Sequence, residues 1–391
     1  MKDKFKPLFE SVKLDSGSVL ANRFVMAPMV VEGSTYQGTP GPEDLTYFKR
    51  RNKTAGLLIT GAAAVGPLGN AFGNGLSILD DSQIPAWKDL AQTMKASGNK
   101  AVLQIFHPGR QAKYSYTDQG KVVGPSDADF DFLDYPVTGL SSQEVQDYVH
   151  YFGQAARRAV EAGFDGVEIH GANHYLIHQF FSKSSNFRQD DWGGSLEKRA
   201  HFALAVAQEV KDQVKKAGKS DFIIGYRFSP EEVHDDQVGY DLEESLYLVD
   251  KLADLGLDYI HTSQFGPLSF KKKAEVGKYS GQVINSVVKE KLAGRALLVG
   301  AGDISDPDKA LEASQYLDLL AMGASAILKP DLVQTIKAGR DQDYQLEVKE
   351  EDLDDLALPD RFYRMAGSLG VNQSFSDQLV ARLKEKPDHL K

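Results

Sequence analysis

The chain lacks cysteine altogether, and this absence excludes several kinds of chemistry at once. None of its 391 residues is a cysteine, so disulfides, thiolate metal ligands, iron–sulfur clusters and cysteine nucleophiles are all excluded. Long apolar runs are missing as well, since no stretch approaches the ~18 apolar residues of a membrane span. The first residues have no apolar signal core. We therefore expect a cytoplasmic protein that does not associate with a membrane.

An excess of positive charge is also absent. The chain has 45 Lys and Arg residues against 55 Asp and Glu residues, a net charge of −10, which does not favour nucleic acid as a partner. Hydrophobic residues make up 42% of the chain, enough for a substantial core. We expect a small-molecule substrate, and a homo-oligomer is compatible with the sequence.

Eight short β-rich runs alternate with longer amphipathic stretches, a pattern typical of parallel strands joined by helical crossovers. The predicted strands are Phe24–Pro28, Gly56–Thr60, Ala101–Phe106, Gly166–His170, Phe222–Phe228, Tyr259–Thr262, Ala296–Gly300 and Asp318–Met322. The predicted helices include Pro42–Lys53, Ala86–Ser97, Gln143–Glu161, Glu197–Lys216, Leu242–Asp254 and Pro307–Ala313. No low-complexity linker or repeat of 20–50 residues divides the chain.

These elements predict an α/β fold, a closed (β/α)₈ TIM barrel, as one domain over residues 1–391. The core covers about residues 7–340, and residues 341–391 form a C-terminal helical extension. A doubly wound Rossmann sheet is the alternative, but the first strand is not followed by G-x-G-x-x-G and a distal acid. Long loops follow strands three and four, His107 to Leu140 and Ser182 to Ser195. Because both leave the same end of the barrel, we expect them to wall a substrate pocket.

The carboxyl end of the fourth strand carries an unusual density of polar groups. His170, Asn173 and Tyr175 directly follow the apolar run of this strand. Barrel enzymes place their catalytic groups at the carboxyl ends of strands, so these three residues are the candidate catalytic set.

Other strand ends suit a flat, phosphorylated, heteroaromatic cofactor. Glycines after strands seven and eight, among them Gly302 and Gly323, allow backbone N–H groups to approach a phosphate. Arg227, at the end of strand five, is a permanent cation, and Gln104 in strand three offers a donor and an acceptor. FMN matches this set: the guanidinium would lie near the flavin N1/O2 edge and the amide near the uracil-like edge.

Several motifs resemble those of the old yellow enzyme family of FMN-dependent ene-reductases. They are Ala27-Pro-Met29, Gln104 with His107-x-Gly-Arg-Gln111, Ala162-Gly-Phe-Asp-Gly-Val-Glu-Ile-His-Gly-Ala-Asn173 and Ser185-Asn-Phe-Arg-Gln-Asp-Asp-Trp-Gly-Gly-Ser-Leu-Glu-Lys-Arg199. The resemblance implies a (β/α)₈ barrel whose FMN is reduced by NADH or NADPH. Hydride then passes from flavin N5 to the β-carbon of an activated alkene.

The resemblance also implies residue roles. His170 and Asn173 would bind the carbonyl oxygen of an α,β-unsaturated substrate, on which enolate charge develops. Tyr175 would protonate the α-carbon, since a phenol with a pKa of ~10 is protonated at neutral pH. The residues implied in FMN binding are Ala27, Pro28, Met29, Ala62, Gln104, Arg227, Gly302, Gly323 and Ala324. Ala324 stands where the family usually has arginine, and Lys329 is a candidate to replace that charge.

Alternative functions remain open at this point. A flavin reductase or NADH oxidase would use oxygen, quinones or nitro compounds as acceptors, and a non-catalytic barrel would only bind flavin. A Schiff-base aldolase needs a lysine at a strand end, and the eight ends offer no convincing one.

A metal site is an alternative interpretation, because His170, His174 and His178 recur every four residues. On one helix they would share a face, as zinc ligands do. However, His170 falls in the strand and turn, Gly171 disfavours a helix, and no H-E-x-x-H motif is formed. We therefore expect no metal.

Overall fold

The computed structural model of the protein describes residues 1–340, 348 and 350–365. It confirms the predicted (β/α)₈ barrel. Eight parallel strands form the barrel: β1 Phe24–Met26, β2 Leu57–Ile59, β3 Lys100–Phe106, β4 Gly166–Gly171, β5 Ile223–Phe228, β6 Tyr259–Thr262, β7 Leu297–Gly300 and β8 Leu319–Met322. Each strand pairs with the next, and β8 pairs with β1, so the sheet closes on itself. All eight predicted strands are present, with ends that differ by at most two residues.

Helices surround the barrel. They are α1 Pro42–Arg51, α2 Ile84–Lys95, α3 Lys113–Gln119, α4 Ser142–Glu161, α5 Leu176–Phe181, α6 Leu196–Lys216, α7 Leu242–Asp254, α8 Ile284–Leu292, α9 Pro307–Ala313, α10 Ala324–Leu328 and α11 Leu332–Lys337. Two short helices, α12 Leu353–Leu356 and α13 Asp360–Met365, follow in the predicted C-terminal extension. The rest of that extension lies outside the described residues. Within the described part of the chain, every helix is too short or too polar to cross a membrane.

Strand β4 shows how the barrel separates its two faces. Val167 and Ile169 are fully buried in the large cluster that packs strands against helices. Glu168 and His170 alternate with them and are also buried, so their side chains lie on the opposite, inner face. A buried parallel strand normally carries apolar residues on both faces. The polar inner face of β4 therefore marks the functional end of the barrel.

The two long loops predicted to wall a pocket contact one another. The loop after β3 contains α3 and a small pair of strands, Val123–Gly124 with Thr138–Gly139. Arg188, from the loop after β4, donates hydrogen bonds to the carbonyl oxygens of Pro125 and Leu140. One guanidinium therefore joins both loops. Their predicted role as pocket walls stays a prediction.

Helix α4, which precedes β4, begins with a capping box. The Ser141 hydroxyl accepts from the Glu144 backbone N–H at 3.3 Å, and the Glu144 carboxylate accepts from the Ser141 N–H at 2.7 Å. We expect Ser141→Ala to lower the free energy of unfolding by about 1 kcal/mol, because an orphan helix donor loses its acceptor. Chemical denaturation measures this effect. Ser220→Ala, in an exposed turn, is the control, and an equal loss in both variants would contradict the assignment.

Candidate active site

The backbone is strained where β4 ends. Asn173 and His174 have φ angles of +58° and +59°, a left-handed conformation that non-glycine residues rarely adopt. Two consecutive residues of this kind persist only when surrounding contacts hold them, and they concentrate at functional sites. Here the Asn173 N–H donates to the Ser229 hydroxyl at 3.0 Å. This turn brings His170, Asn173 and Tyr175 to the mouth of the barrel.

The contacts of His170 determine which of its nitrogens carries the proton. Its Nδ1 accepts a hydrogen bond from the Ala172 N–H at 3.2 Å, so the proton of the neutral ring lies on Nε2. Burial, together with the nearby positive charge of Arg227, holds the pKa of His170 well below its usual range. The ring is therefore a neutral imidazole at neutral pH, with Nε2–H as its donor.

Ser263 is the hydrogen-bond partner of the Asn173 amide. Its hydroxyl donates to Asn173 Oδ1 at 2.7 Å, which leaves the NH₂ group as the remaining donor. Ser263 directly follows β6, and sequence reasoning gave it no role.

Tyr175 lies beside His170 in an aromatic group. The ring centroids of Tyr175 and His170 are 4.9 Å apart, and that of Phe106 lies 5.0 Å from Tyr175, both edge to face. Tyr175 also contacts the small apolar cluster that contains Ala62. Burial raises the pKa of Tyr175 to about 12, although Arg227 opposes the shift. The phenol is therefore protonated over the whole physiological range.

A buried carboxylate beneath these groups was missed at the sequence level. Glu168 is fully buried and accepts from Gln104 Nε2 at 2.6 Å and from His261 Nδ1 at 2.8 Å. Burial alone would raise the pKa of Glu168, but His261, Arg227 and the Gln104 hydrogen bond together lower it. A charged residue between Val167 and Ile169 in a buried strand was the available signal.

This carboxylate changes the interpretation of Arg227. From the sequence, Arg227 is expected to place its charge at the flavin N1/O2 edge, yet the negative charge of Glu168 already favours its charged form. Arg227 pairs in register with His170 on β4 and with His261 on β6. Buried atoms without a hydrogen-bond partner in the described residues include Arg227 Nε and His261 Nε2. Arg227 Nε is a donor, whereas His261 Nε2 is an acceptor because the proton of that ring lies on Nδ1. A buried donor and a buried acceptor without partners both indicate a ligand.

The predicted phosphate-binding loops lie together. The Ser325 hydroxyl donates to the Ile304 carbonyl at 2.7 Å and so joins the loops after β7 and β8. A Cβ added at Gly323 would meet only the Met29 sulfur, at 3.7 Å. Helix α10 begins at Ala324 without a side-chain cap, so no side chain accepts from its first N–H groups. The open space beside this uncapped helix start fits a phosphate.

The remaining predicted cofactor residues line the adjoining side of the barrel mouth. The Ala27 N–H donates to the Met322 carbonyl at 2.9 Å. This hydrogen bond places the residues that follow β1 beside the end of β8. Met29 and Gly61 approach closely, since a Cβ on Gly61 would lie 2.7 Å from the Met29 oxygen. The predicted residues after β1, β2 and β8 therefore converge. These cofactor assignments stay predictions, but the residues present fit an FMN.

The three histidines weighed as metal ligands do not form one group. His170 lies in β4, whereas His174 and His178 lie close to Glu232, within 4.8 Å of one another by their possible ligand atoms. Glu232 follows β5, and its proximity to His174 and His178 was not predicted from the sequence. The residues are too far apart in the chain for a regular spacing to relate them.

Comparisons with known proteins agree with this geometry. A model of the NADH:flavin oxidoreductase / NADH oxidase family matches residues 7–343. The probable NADH-dependent flavin oxidoreductase YqiG of Bacillus subtilis is 40% identical over 365 residues, covering 93% of this chain and 96% of that protein.

Solved structures give the same result. An old yellow enzyme homologue from Zymomonas mobilis superposes with a TM-score of 0.70 and 25% identity, covering 85% of this chain and 92% of that one. Morphinone reductase in complex with tetrahydroNAD gives a TM-score of 0.72 and 25% identity, covering 95% and 98%. The chain belongs to the NADH:flavin oxidoreductase / NADH oxidase family, as the old yellow enzyme resemblance predicted, and is an oxidoreductase whose cofactors are FMN and NADH or NADPH.

Proposed function

We propose that the protein reduces the activated C=C bond of α,β-unsaturated carbonyl compounds. The observation that carries the proposal is the pairing of two fixed hydrogen-bond donors with a protonated phenol. His170 presents Nε2–H because its Nδ1 is an acceptor, and Asn173 presents its NH₂ because its Oδ1 is occupied. Tyr175 lies against the His170 ring.

Each group has a defined task in this reaction. The chemistry supplied by bound FMN is hydride transfer, first from the nicotinamide to the flavin and then to the β-carbon of the alkene. His170 and Asn173 bind the carbonyl oxygen and stabilise the negative charge that develops there. Tyr175 delivers a proton to the α-carbon. Nicotinamide and alkene would use the same two donors in turn, which gives ping-pong kinetics.

The cofactor set has a matching division of tasks. Arg227 would lie at the flavin N1/O2 edge and stabilise the negative charge of the reduced ring. Gln104 keeps its amide oxygen for the flavin, since its Nε2 donates to Glu168. The residues proposed to lie along the ring and phosphate are Ala27, Pro28, Met29, Ala62, Gly302, Gly323 and Ala324.

Steady-state turnover tests the proposal. NADH oxidation is measured without oxygen in the presence of 2-cyclohexenone, and then in air with no other acceptor. We expect the enone to support the faster oxidation and cyclohexanone to accumulate in equal amount. Faster turnover with oxygen, quinones or nitro compounds, and no cyclohexanone, would replace the proposal with a flavin reductase or NADH oxidase.

A further inference from the structure

Outside the flavin site, three imidazoles surround one buried carboxylate. Glu232 lies on the first strand of a hairpin, Glu232–His234 with Gln237–Tyr240, which packs against α5. His174 Nδ1 and His234 Nε2 each lie 3.3 Å from Glu232 Oε1. His178 Nε2 lies 3.3 Å from Glu232 Oε2. Both carboxylate oxygens therefore face ring nitrogens.

The proton positions in this cluster leave two acceptors facing each other. The single hydroxyl proton of Tyr240 is donated to the Ser229 carbonyl at 3.0 Å. The hydroxyl oxygen can therefore only accept from His178 Nδ1, which lies 3.2 Å away. A neutral ring with its proton on Nδ1 has a lone pair on Nε2. That lone pair faces the Glu232 carboxylate with no proton between them.

Burial makes this arrangement unfavourable unless a cation is present. Glu232 is 2% exposed, and both its Oε2 and the Nδ1 of His174 are buried without hydrogen-bond geometry to any described residue. Buried polar atoms are almost always satisfied, so each exception requires an explanation. A proton shared between His178 and Glu232 is one explanation, and a bound metal ion is the other.

The distances also fit a metal centre. Metal–ligand bonds of ~2.1 Å in a tetrahedral site separate neighbouring ligand atoms by ~3.4 Å. His174 and His178 each lie 3.3 Å from one of the two oxygens of Glu232, and the possible ligand atoms of the three residues lie within 4.8 Å of one another. The Tyr240 hydroxyl accepts a hydrogen bond from Nδ1 of His178. Histidine ligands in metal sites usually donate the N–H of their other ring nitrogen to such a partner. Nitrogen and oxygen donors of this kind suit zinc and similar divalent ions.

We propose that His174, His178 and Glu232 bind a divalent transition-metal ion of the Zn²⁺ class, with His234 beside the site at 3.3 Å from Glu232 Oε1. This departs from the sequence prediction of no metal, which considered His170 rather than Glu232. The site borders a cavity of ≈390 Å³ whose lining includes Asn173, so the ion lies next to the substrate-binding turn. It also joins α5 to the hairpin. The proposal does not rest on the proposed reaction.

Metal titration of tag-free protein tests the site. The protein is stripped with EDTA, dialysed and titrated with ZnCl₂ in competition with a chromophoric chelator, and then with CoCl₂ while its visible spectrum is recorded. We expect one equivalent of Zn²⁺ to bind and Co²⁺ to give the intense absorption of a four-coordinate site. Zn²⁺ should also raise the thermal unfolding temperature, because an ion that binds only the folded state stabilises it.

Variants locate the ion. Glu232→Gln and His174→Ala should each weaken Zn²⁺ binding more than about 100-fold, since even loss of an outer partner costs 10–100-fold. His174 is partly exposed, so its variant should fold even if replacement of the buried Glu232 does not permit folding. His150→Ala is the matched control, because His150 faces Glu209 at 3.8 Å on the surface.

The outcomes separate the two explanations. Loss of binding in His174→Ala with unchanged binding in His150→Ala supports the site. If folded wild-type protein binds neither Zn²⁺ nor Co²⁺, the proposed metal site is wrong, and a proton shared between His178 and Glu232 remains as the explanation. An unchanged Zn²⁺ affinity of His174→Ala would also contradict the proposed site. These results come from binding alone, so they stand apart from the outcome of the turnover test.

Discussion

Tyr175→Phe should slow alkene reduction by about 10²–10⁴-fold, the usual contribution of a positioned general acid, while flavin reduction by NADH stays nearly unchanged. The two half-reactions differ because only the second one needs a proton at carbon. The pKa of Tyr175 is raised by burial to about 12, so wild-type protein keeps this acid form throughout the neutral range. Anaerobic stopped-flow absorbance measures each half-reaction separately.

The control for this variant is Tyr114→Phe, which removes a hydroxyl from an exposed tyrosine and should change neither rate. An equal loss in both half-reactions of Tyr175→Phe would contradict the role of Tyr175 as proton donor. Such a result would indicate that the hydroxyl positions the flavin instead.

Glu168→Gln should lower the free energy of unfolding by about 3–5 kcal/mol, the usual effect of removing one member of a buried ionic group. The substitution removes the anion that stabilises Arg227 and the acceptor of the 2.8 Å hydrogen bond from His261. It also disturbs the 2.6 Å hydrogen bond from Gln104, so FMN content should fall as well. Urea denaturation and flavin absorbance of the purified variant measure the two effects.

Glu161→Gln is the matched control, because Glu161 forms a surface ion pair with Arg157 at 2.6 Å. Exposed ion pairs contribute about 0–1 kcal/mol, so this variant should unfold almost as the wild type does. If Glu168→Gln and Glu161→Gln have the same free energy of unfolding, the buried interactions of Glu168 contribute no stability.

The barrel could be predicted because each of its strands leaves a local signal. Short apolar runs bounded by glycine or polar residues identify buried strands, and the amphipathic stretch Leu242–Asp254 was predicted to the residue. Helices α8 and α11 and the Glu232–Tyr240 hairpin were not predicted. Polar residues dominate the hairpin, and its pairing depends on packing against α5 rather than on periodicity.

The sequence indicates the proposed catalytic residues but not the residues that contact them. His170, Asn173 and Tyr175 follow from one strand end, since barrel chemistry lies at strand ends. Glu168 stands 64 residues from Gln104 and 93 from His261, and no spacing rule connects such distances. Those contacts arise only when neighbouring strands come into register.

The pairing of an FMN with the His170–Asn173 donors is the central claim, and an anaerobic absorbance experiment tests it most directly. The purified protein is titrated with NADH and then mixed with 2-cyclohexenone, while the flavin band near ~450 nm is followed. We expect NADH to bleach the band and the enone to restore it in the absence of oxygen. A protein without this band after reconstitution with FMN, or a bleached band that only oxygen restores, would contradict enone reduction by a bound FMN.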